Sequence, residues 1–451
     1  MRRRGLSGVR VVLGAAALGL ALACGAAASS AATLAVEPGP DGLREAVARA
    51  APGDRLLLGP GVYGGRIVID KPLMLQGSPG AVIDAGGAGS AVKILAPDVT
   101  VRGLEIRGSG TRGEDFDSGI YIEQGADRPV IEDNKVEENL FGIVLHGCRD
   151  AVVRNNRIAN RSDLWMNDRG NGIHVWNNKG SLIEGNHVIG GRDGIYIEVS
   201  HDNVIRGNRF EDLRFAVHYM YSNRNEVTDN VSVHNHVGFA LMYSERLKVL
   251  RNVSVGDQQH GLMFHTSRRS EVADNYIYGT GGKCLFIYTS VKNDIHDNRL
   301  EKCGIGVHFT GGSEDNRFYG NSFIEGRIQV KYTGTRIYEW SRDGRGNYWS
   351  DNPAFDLDGD GIADTAYRPN TIVDWVIWKY PLAKLLLSSP ALATLRYAQE
   401  QLPTLYPGGA VDSFPLMAPP APPVTLPAGV DLTPAAPDTA EDIGVGAAPT
   451  M

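Results

Sequence analysis

Cysteine is scarce in this chain, which has only four among its 451 residues. Cys24 lies in the N-terminal leader, and the other three, Cys148, Cys284 and Cys303, are an odd number that cannot form a complete disulfide framework. A disulfide-scaffold protein is therefore excluded. We expect the three to be buried apolar residues, with a bridge between Cys284 and Cys303, or a metal-binding thiol, as the alternatives.

The chain also lacks a basic block and, beyond its leader, a long apolar run. Its formal net charge is −7, and loss of the leader with its four arginines lowers this charge to −11. This balance argues against nucleic-acid partners. The best later apolar candidate, at 385–387, is far shorter than the ~20 residues that a membrane-spanning helix needs.

The N-terminus has the three regions of a secretory signal peptide. Residues 2–4 are arginines, residues 11–23 are apolar, and small residues end near Ala32. We therefore predict that residues 1–32 are a signal peptide and that the mature protein is exported. Lipidation of Cys24 is the alternative that the sequence leaves open.

Asparagine recurs along the chain with a typical separation of about 22 residues. Asparagine tolerates left-handed turn geometry, and stacked copies can hydrogen-bond into a ladder, so this period predicts stacked coils. The repeating positions are Asn134, Asn156, Asn186, Asn208, Asn230, Asn252, Asn275, Asn298 and Asn321. Short strands with apolar residues at every second position lie between them, as a common core requires. We predict an all-β, right-handed parallel β-helix of about eleven coils.

The repeat also sets the domain organisation. Residues 33–337 are predicted to form the β-helix with an N-terminal cap, and residues 338–417 a small C-terminal module with an Asp-rich loop and short helices. Residues 418–451 are rich in proline and alanine and have few large apolar residues, which predicts a disordered tail.

One strand register carries unusual side chains at its outward positions. A solvated strand face would normally carry threonine, lysine, glutamate and serine, whereas methionine and histidine cluster here on consecutive coils. With rungs ~4.8 Å apart, Met220, Met242 and His265 form a column that His218 and Met263 flank. Thioether and imidazole ligands suit Cu(I) better than zinc or calcium. The alternative is an apolar patch that a loop or a partner covers.

The aromatic residues on this face also raise a carbohydrate-active alternative. Hydrolysis needs paired carboxylates, but only Glu123 and Glu198 occupy the face, and rung spacing puts them roughly 14 Å apart. That separation is too large for the usual mechanism. Acidic residues in projecting loops, such as Asp117 and Asp168, keep a polysaccharide lyase or epimerase as an alternative, and a passive glycan-binding β-helix is another.

The C-terminal module contains an Asp-rich loop. Its carboxylates are spaced as in the first half of a calcium-binding loop, at Asp356, Asp358, Asp360 and Asp364. Tyr367 occupies the position where such a loop carries its bidentate glutamate. A calcium site and a metal-free Asp/Gly turn both remain consistent with this pattern, and either would be structural.

Two short amphipathic helices are predicted after this loop. They carry an unusual set of large apolar residues, Trp375, Trp378, Tyr380, Leu385 and Leu386. Either the helices fold back as the second cap of the solenoid, or they dock on another protein or a membrane.

Four motifs are specific to this chain and are not explained by the repeat alone: VHYMYS at 217–222, FALMYS at 239–244, NYWSD at 347–351 and the acidic loop at 356–364. In these motifs the chain resembles the NosD family of periplasmic maturation proteins of nitrous oxide reductase. It implies a non-enzymatic periplasmic accessory protein, held at the inner membrane by an ABC ATPase and permease. It further implies a copper chaperone and nitrous oxide reductase as partners, and a part in assembling the copper-sulfide centre of that enzyme. The resemblance therefore favours transient Cu(I) as the metal of the methionine and histidine column.

Overall fold

The computed structural model describes residues 31–402 and 406–435. Within these residues the chain forms the predicted parallel β-helix, with three long sheets that we name A, B and C in the order in which the chain visits them. Within each sheet, neighbouring strands come from successive coils and pair in parallel. The sheets contain 13, 13 and 12 strands, respectively.

The strand bounds follow the repeat. Sheet A consists of Thr33–Val36, Arg55–Leu58, Met74–Gly77, Thr100–Arg102, Val130–Glu132, Val152–Arg154, Leu182–Glu184, Val204–Arg206, Glu226–Thr228, Lys248–Leu250, Glu271–Ala273, Asp294–His296 and Arg317–Tyr319. Sheet B consists of Gly61–Gly64, Ala81–Asp84, Glu105–Arg107, Lys135–Glu137, Arg157–Ala159, His187–Ile189, Arg209–Glu211, Val231–Val233, Val253–Val255, Tyr276–Tyr278, Arg299–Glu301, Ser322–Ile324 and Tyr348–Trp349. Sheet C consists of Ile67–Ile69, Val92–Ile94, Ser118–Ile122, Phe141–His146, Ile173–Trp176, Asp193–Glu198, Phe215–Met220, Val237–Met242, His260–His265, Lys283–Tyr288, Ile305–Phe309 and Ile328–Lys331.

The core is a continuous apolar column along the axis of the β-helix. In sheet C, Phe239 pairs with Leu262 on the next coil, and Leu241 pairs with Phe264. All four side chains are buried in the same cluster as the inward residues of sheets A and B. This is the arrangement that alternation with a period of two predicts, because every second residue of each short strand faces the axis.

The asparagine ladder connects the coils by buried hydrogen bonds. Both the backbone N–H and the side-chain amide of Asn208 donate to Oδ1 of Asn230 at 3.0 Å, and the same amide donates to the Ile183 carbonyl at 2.9 Å. The left-handed residue of each turn is the one before the ladder asparagine, for example Gly207 or Asp229. The expected left-handed conformation therefore belongs to the residue before each ladder asparagine, and the asparagine itself contributes the hydrogen bonds.

The coil count of about eleven was too low, because the first coils lack the asparagine repeat and the last coil carries its ladder residue, Asn347, 26 positions after Asn321 instead of 22 or 23. The first sheet begins at Thr33–Val36, and the last coil ends with Tyr348–Trp349 on sheet B. At the first end, helix α1 (Gly42–Arg49) buries Leu43, Ala46 and Val47 against the opening coils.

At the second end, Asp412 of the C-terminal module terminates the ladder. Its Oδ2 accepts hydrogen bonds from the backbone N–H of Asn347 at 2.7 Å and from the Trp349 indole at 2.8 Å. Asn347 in turn accepts from Asn321, the last asparagine of the predicted series. The final rung is therefore satisfied by a residue 65 positions further along the chain.

The cysteine alternatives resolve into one bridge and one free thiol. Cys284 and Cys303 form a disulfide with a Cα–Cα distance of 5.6 Å. Cys148 is free and buried, and burial raises the pKa of its thiol to about 12. A protonated, buried thiol is a poor metal ligand, so Cys148 is a core residue. Cys24 and most of the predicted signal peptide lie outside the described residues.

The C-terminal module begins with strand Ile337–Glu339, which pairs with Gly409–Val411. Helix α2 (Ile372–Lys379) starts at a capping box formed by Thr371 and Asp374, a 3₁₀ segment spans Pro381–Leu386, and helix α3 is Pro390–Gln401. A second 3₁₀ segment, Met166–Asp168, lies in the loop that interrupts the repeat. Among the residues described, no helix is both long and apolar enough to cross a membrane.

The predicted tail is described as far as residue 435, and its last 16 residues lie outside the described part. Residues 418–435 contain no helix or strand. Val424, Leu426 and Val430 pack on an apolar patch of sheet B that includes Val255 and Tyr278.

Removing one ladder asparagine should destabilise the β-helix strongly. Asn230→Ala deprives the buried donors of Asn208 of their acceptor, and each unsatisfied buried group costs about 1–3 kcal/mol. We expect the free energy of unfolding to fall by about 3 kcal/mol or more in denaturant titrations. Asn167→Ala, at an exposed position, is the control and should change it by less than about 0.5 kcal/mol. Equal effects of the two variants would contradict the role given to the ladder.

Candidate functional site

The outer face of sheet C brings together all five residues that the sequence singled out as copper ligands. Met220 pairs with Met242, and Met242 pairs with His265 on the next coil. His218 and Met263 lie in the neighbouring column, with Ala240 between them. We refer to Met220, Met242, His218, Met263 and His265 as the Met/His cluster.

Ala240 gives the cluster its shape. Its methyl group occupies a position between the His218 and Met263 rungs, and Met242 lies two residues further along the same strand. Adjacent rungs are ~4.8 Å apart, so the larger donors surround the smallest side chain of the face. The arrangement leaves the centre of the cluster free of a bulky side chain.

The cluster is shielded from water. Met263 is 1% exposed, Met242 is 4% exposed, and the His218 side chain is 12% exposed. Val237, Phe215, Tyr243 and Phe286 pack around the two methionines. This environment favours a soft, singly charged cation over a strongly hydrated one, and it equally fits the packing alternative in which methionine fills an apolar patch.

The two histidines of the cluster differ in their hydrogen bonding. Nδ1 of His265 is buried and has no hydrogen-bond partner within the described chain. The rings of Tyr243 and Tyr288 lie 4.9 and 4.8 Å from the His265 ring, and burial lowers the pKa of this imidazole. A neutral imidazole with a buried nitrogen that lacks a partner fits a metal ligand, as thioether sulfurs fit Cu(I).

Asp193 is a polar neighbour of the cluster that the sequence argument missed. It is fully buried, accepts hydrogen bonds from Nε and Nη2 of Arg214, and lies 3.2 Å from Nδ1 of His218. Burial raises the pKa of the Asp193 carboxyl, but the bonds from His218 and Arg214 outweigh this effect and hold the pKa below its usual value. One sequence feature could have identified Asp193. It is an acidic residue at a strand position that the next two coils fill with Phe215 and Val237.

The carboxylates considered for sugar hydrolysis are engaged elsewhere. Glu123 forms an ion pair with Lys93 at 3.1 Å, and Glu198 accepts a hydrogen bond from the Tyr196 hydroxyl at 3.1 Å. They lie on strands Ser118–Ile122 and Asp193–Glu198 or directly after them, three coils apart in sheet C. The paired acid and base of a glycosidase are therefore not brought together by these two residues.

The Asp-rich loop gathers three of its four predicted ligands. Carboxylate oxygens of Asp356, Asp358 and Asp360 all lie within 4.8 Å of one another. Asp356 accepts backbone hydrogen bonds from Gly361 and Gly359, and these bonds lower the pKa of its carboxyl.

The fourth predicted ligand of this loop, Asp364, accepts a hydrogen bond from the Leu357 N–H at 2.8 Å. The loop is thus closed by its own backbone bonds. Its three clustered carboxylates offer the oxygen ligands that calcium prefers, which fits a calcium site. The backbone bonds that close the turn without an ion fit the metal-free alternative.

The predicted docking residues separate into two groups. Trp378 packs with Val373 and Ile377 inside the helical pair, and the Trp375 indole donates to the Thr333 carbonyl at 3.2 Å, so both are engaged within the chain. Tyr380, Leu385 and Leu386 are exposed, with Leu385 at 83%. The exposed apolar side chains therefore belong to the turn and the 3₁₀ segment after α2.

Comparison with known proteins relates the chain to one family. The family described as periplasmic copper-binding protein (NosD) matches residues 160–354, a segment that contains the entire Met/His cluster. A protein of Pseudomonas aeruginosa described as a probable ABC transporter binding protein NosD is 44% identical over 385 residues, covering 82% of this chain and 90% of the relative. A protein of Stutzerimonas stutzeri with the same description is 42% identical, covering 81% of this chain and 87% of the relative.

Solved structures support the fold alone. The DFA-IIIase of Arthrobacter chlorophenolicus superposes with a TM-score of 0.50 at 15% identity, covering 64% of this chain and 94% of that structure. At this identity the similarity extends to the coiled architecture and carries no chemistry from the enzyme.

Proposed function

Because the chain belongs to the NosD family, we propose that it is a non-enzymatic periplasmic copper-handling subunit of an ABC transporter complex that supports copper-sulfide centre assembly in nitrous oxide reductase. Its partners would be the ABC ATPase and permease of the inner membrane, a copper chaperone, and nitrous oxide reductase itself. In this proposal Cu(I) is cargo and not a resident cofactor.

The observation that carries the proposal is the Met/His cluster. Five soft or borderline donors lie on three consecutive coils, in a family described as copper-binding. The coils are fixed by the asparagine ladder, so the donors are held on a rigid sheet and not on a loop. Thioether and imidazole donors are the set that selects Cu(I) among the cations of the cell.

The same donor set suits transfer. None of the five side chains is a carboxylate or a thiolate, so the cluster offers Cu(I) neutral ligands and no strong anionic bond. Burial of Met242 and Met263 excludes water, which protects Cu(I) from hydration and from oxidation. A chaperone would deliver the ion across the more exposed side, where Met220 and His265 lie.

The exposed residues after α2 are the proposed transporter contact. Tyr380, Leu385 and Leu386 are exposed, and the module that carries them contacts the chain just after the last strand of sheet C, where the Trp375 indole donates to the Thr333 carbonyl. Exposed apolar side chains of this size are typical of sites that another protein or a membrane covers. We assign them to the permease.

A polysaccharide lyase or epimerase remains the second candidate. It would use the loop carboxylates, of which Asp117 accepts the backbone N–H of Arg112 at 2.9 Å and is itself buried. A carboxylate committed to loop structure is a poor catalyst, so this candidate has less support than copper handling. Turnover of a uronate polymer would favour it.

Loss of the thioethers should weaken Cu(I) binding without unfolding the protein. Met220→Ala with Met242→Ala should lower Cu(I) affinity at least about tenfold in competition with a chromogenic chelator. Met220→Leu with Met242→Leu should lower it equally, because leucine keeps the packing volume and lacks the sulfur. The matched control is Met166→Ala with Met417→Ala, two exposed methionines outside the cluster. If the leucine variant competes with the chelator for Cu(I) as well as the wild-type protein does, the two methionines have only a packing role.

Polar replacement of the exposed leucines should weaken transporter association. Leu385→Ser with Leu386→Ser removes apolar area that only a partner would bury, so we expect the amount of ATPase and permease that co-purifies to fall severalfold while the melting temperature stays constant. The control is Leu357→Ser, a leucine 82% exposed in the acidic loop. If the wild-type protein, the double variant and the control all co-purify with equal amounts of ATPase and permease, the assigned contact is wrong.

A further inference from the structure

A buried carboxylate next to the Met/His cluster has no part in the function proposed so far. Asp193 begins strand Asp193–Glu198 and pairs with Phe215, the first residue of the strand that carries His218 and Met220. Its side chain is fully buried, although its column lies on the outer face of sheet C. A buried charge is retained at a cost, so its partners indicate what it does.

Asp193 has two kinds of partner on the next coil. Arg214 donates through Nε to Oδ1 at 2.8 Å and through Nη2 to Oδ2 at 2.6 Å, which neutralises the carboxylate. Nδ1 of His218 lies 3.2 Å from the same Oδ2. Nε of Arg192, on the same coil as Asp193, also lies 3.7 Å from Oδ2. The two arginines account for the tolerance of the buried charge, and the contact to His218 remains to be explained.

The contact with His218 fixes which imidazole nitrogen carries the proton. An ionised carboxylate can only accept hydrogen bonds, so Nδ1 of His218 is the donor. In the neutral ring Nε2 is then unprotonated and keeps its lone pair. Within the described residues His218 makes this one side-chain hydrogen bond, which leaves Nε2 uncommitted.

The neighbours of His218 lie on opposite sides of it. Asp193 is on the preceding coil, towards the start of the strand, whereas Met242 is on the following coil, towards the strand end. A carboxylate that holds one ring nitrogen and leaves the other for a metal is the usual outer-shell arrangement of protein histidine ligands. His265 has no such carboxylate, since its Nδ1 lacks a partner in the described part of the chain.

We propose that Asp193 is a positioning residue that holds His218 in the Nδ1–H form and so presents Nε2 to Cu(I). The proposal rests on the proposed copper-handling function. It makes His218 the anchored imidazole of the cluster and His265 the unanchored one.

The first test needs no metal. Long-range proton–nitrogen NMR spectra of the full chain with ¹⁵N-labelled histidine distinguish the two neutral forms, and loss of one signal in His218→Gln assigns the residue. We expect the wild-type His218 signal to be that of the Nδ1–H form at neutral pH. Asp193→Asn should lose this signature, because the amide no longer provides an obligate acceptor. A wild-type His218 in the Nε2–H form would overturn the proposal, even if the variant did not fold.

The second test measures Cu(I) affinity by chelator competition. Asp193→Asn should lower the affinity about 10- to 100-fold, the effect that loss of an outer-shell partner usually has. If Asp193 acts only through His218, adding Asp193→Asn to His218→Gln should cause no further loss. The control for the arginine pairing is Asp229→Asn, because Asp229, on the exposed surface, accepts the same two-pronged bond from Arg251 at 2.8 and 2.8 Å without a cluster histidine.

The outcomes separate this inference from the function on which it rests. If the wild-type protein binds Cu(I) and Asp193→Asn binds it as tightly, the positioning role is wrong and the copper function stands. An additional loss in the double variant would mean that Asp193 acts independently of His218, which also overturns the proposal. If the wild-type protein does not bind Cu(I), the function and this inference fail together.

Discussion

The hydrogen-bonded stacking of coils is the constraint on which the rest of this structure depends. Each coil has only short strands, and strands of two to six residues have little stability of their own. The buried asparagines supply what the strands lack. The Asn230 side chain, for example, accepts from the Asn208 N–H and donates to the Ile205 carbonyl on the preceding coil, and it also donates to the Asn252 side chain on the next. Register is thereby fixed, and a slip by one residue would turn every inward side chain outward.

The fixed register also brings residues that are far apart in the sequence together in one site. Met220 and Met242 are 22 residues apart in the chain and are paired across one rung in sheet C. Donors from separate coils thus meet without a flexible loop, and their separation follows from the spacing of the strands. Ala240 is the smallest side chain of the cluster and is packed with Met242 and Met263, and Phe215 and Phe286 shield their surroundings from water.

Much of this architecture was predictable because it is periodic. The asparagine spacing and the inward apolar pairs predicted the β-helix, and the outward register predicted which methionines and histidines would be neighbours. The aperiodic features could not be predicted in the same way. The first coils have no ladder asparagine, and the last has one at an irregular interval, so the period misses them. The sequence offered the Cys284–Cys303 bridge only as an alternative, because a close approach of two side chains has no periodic signature. Asp412 and Asp193 act through single long-range contacts that leave no repeating pattern in the sequence.

The central claim is that Cu(I) binds at the Met/His cluster, and X-ray absorption at the copper edge tests it most directly. Full-length protein loaded with one equivalent of Cu(I) should show a mixed shell of sulfur and nitrogen neighbours. The sulfur contribution should shrink when Met220 and Met242 are both replaced by leucine, because Met263 would be the one thioether left in the cluster. A spectrum with only oxygen and nitrogen neighbours, or one that the double replacement leaves unchanged, would contradict the account.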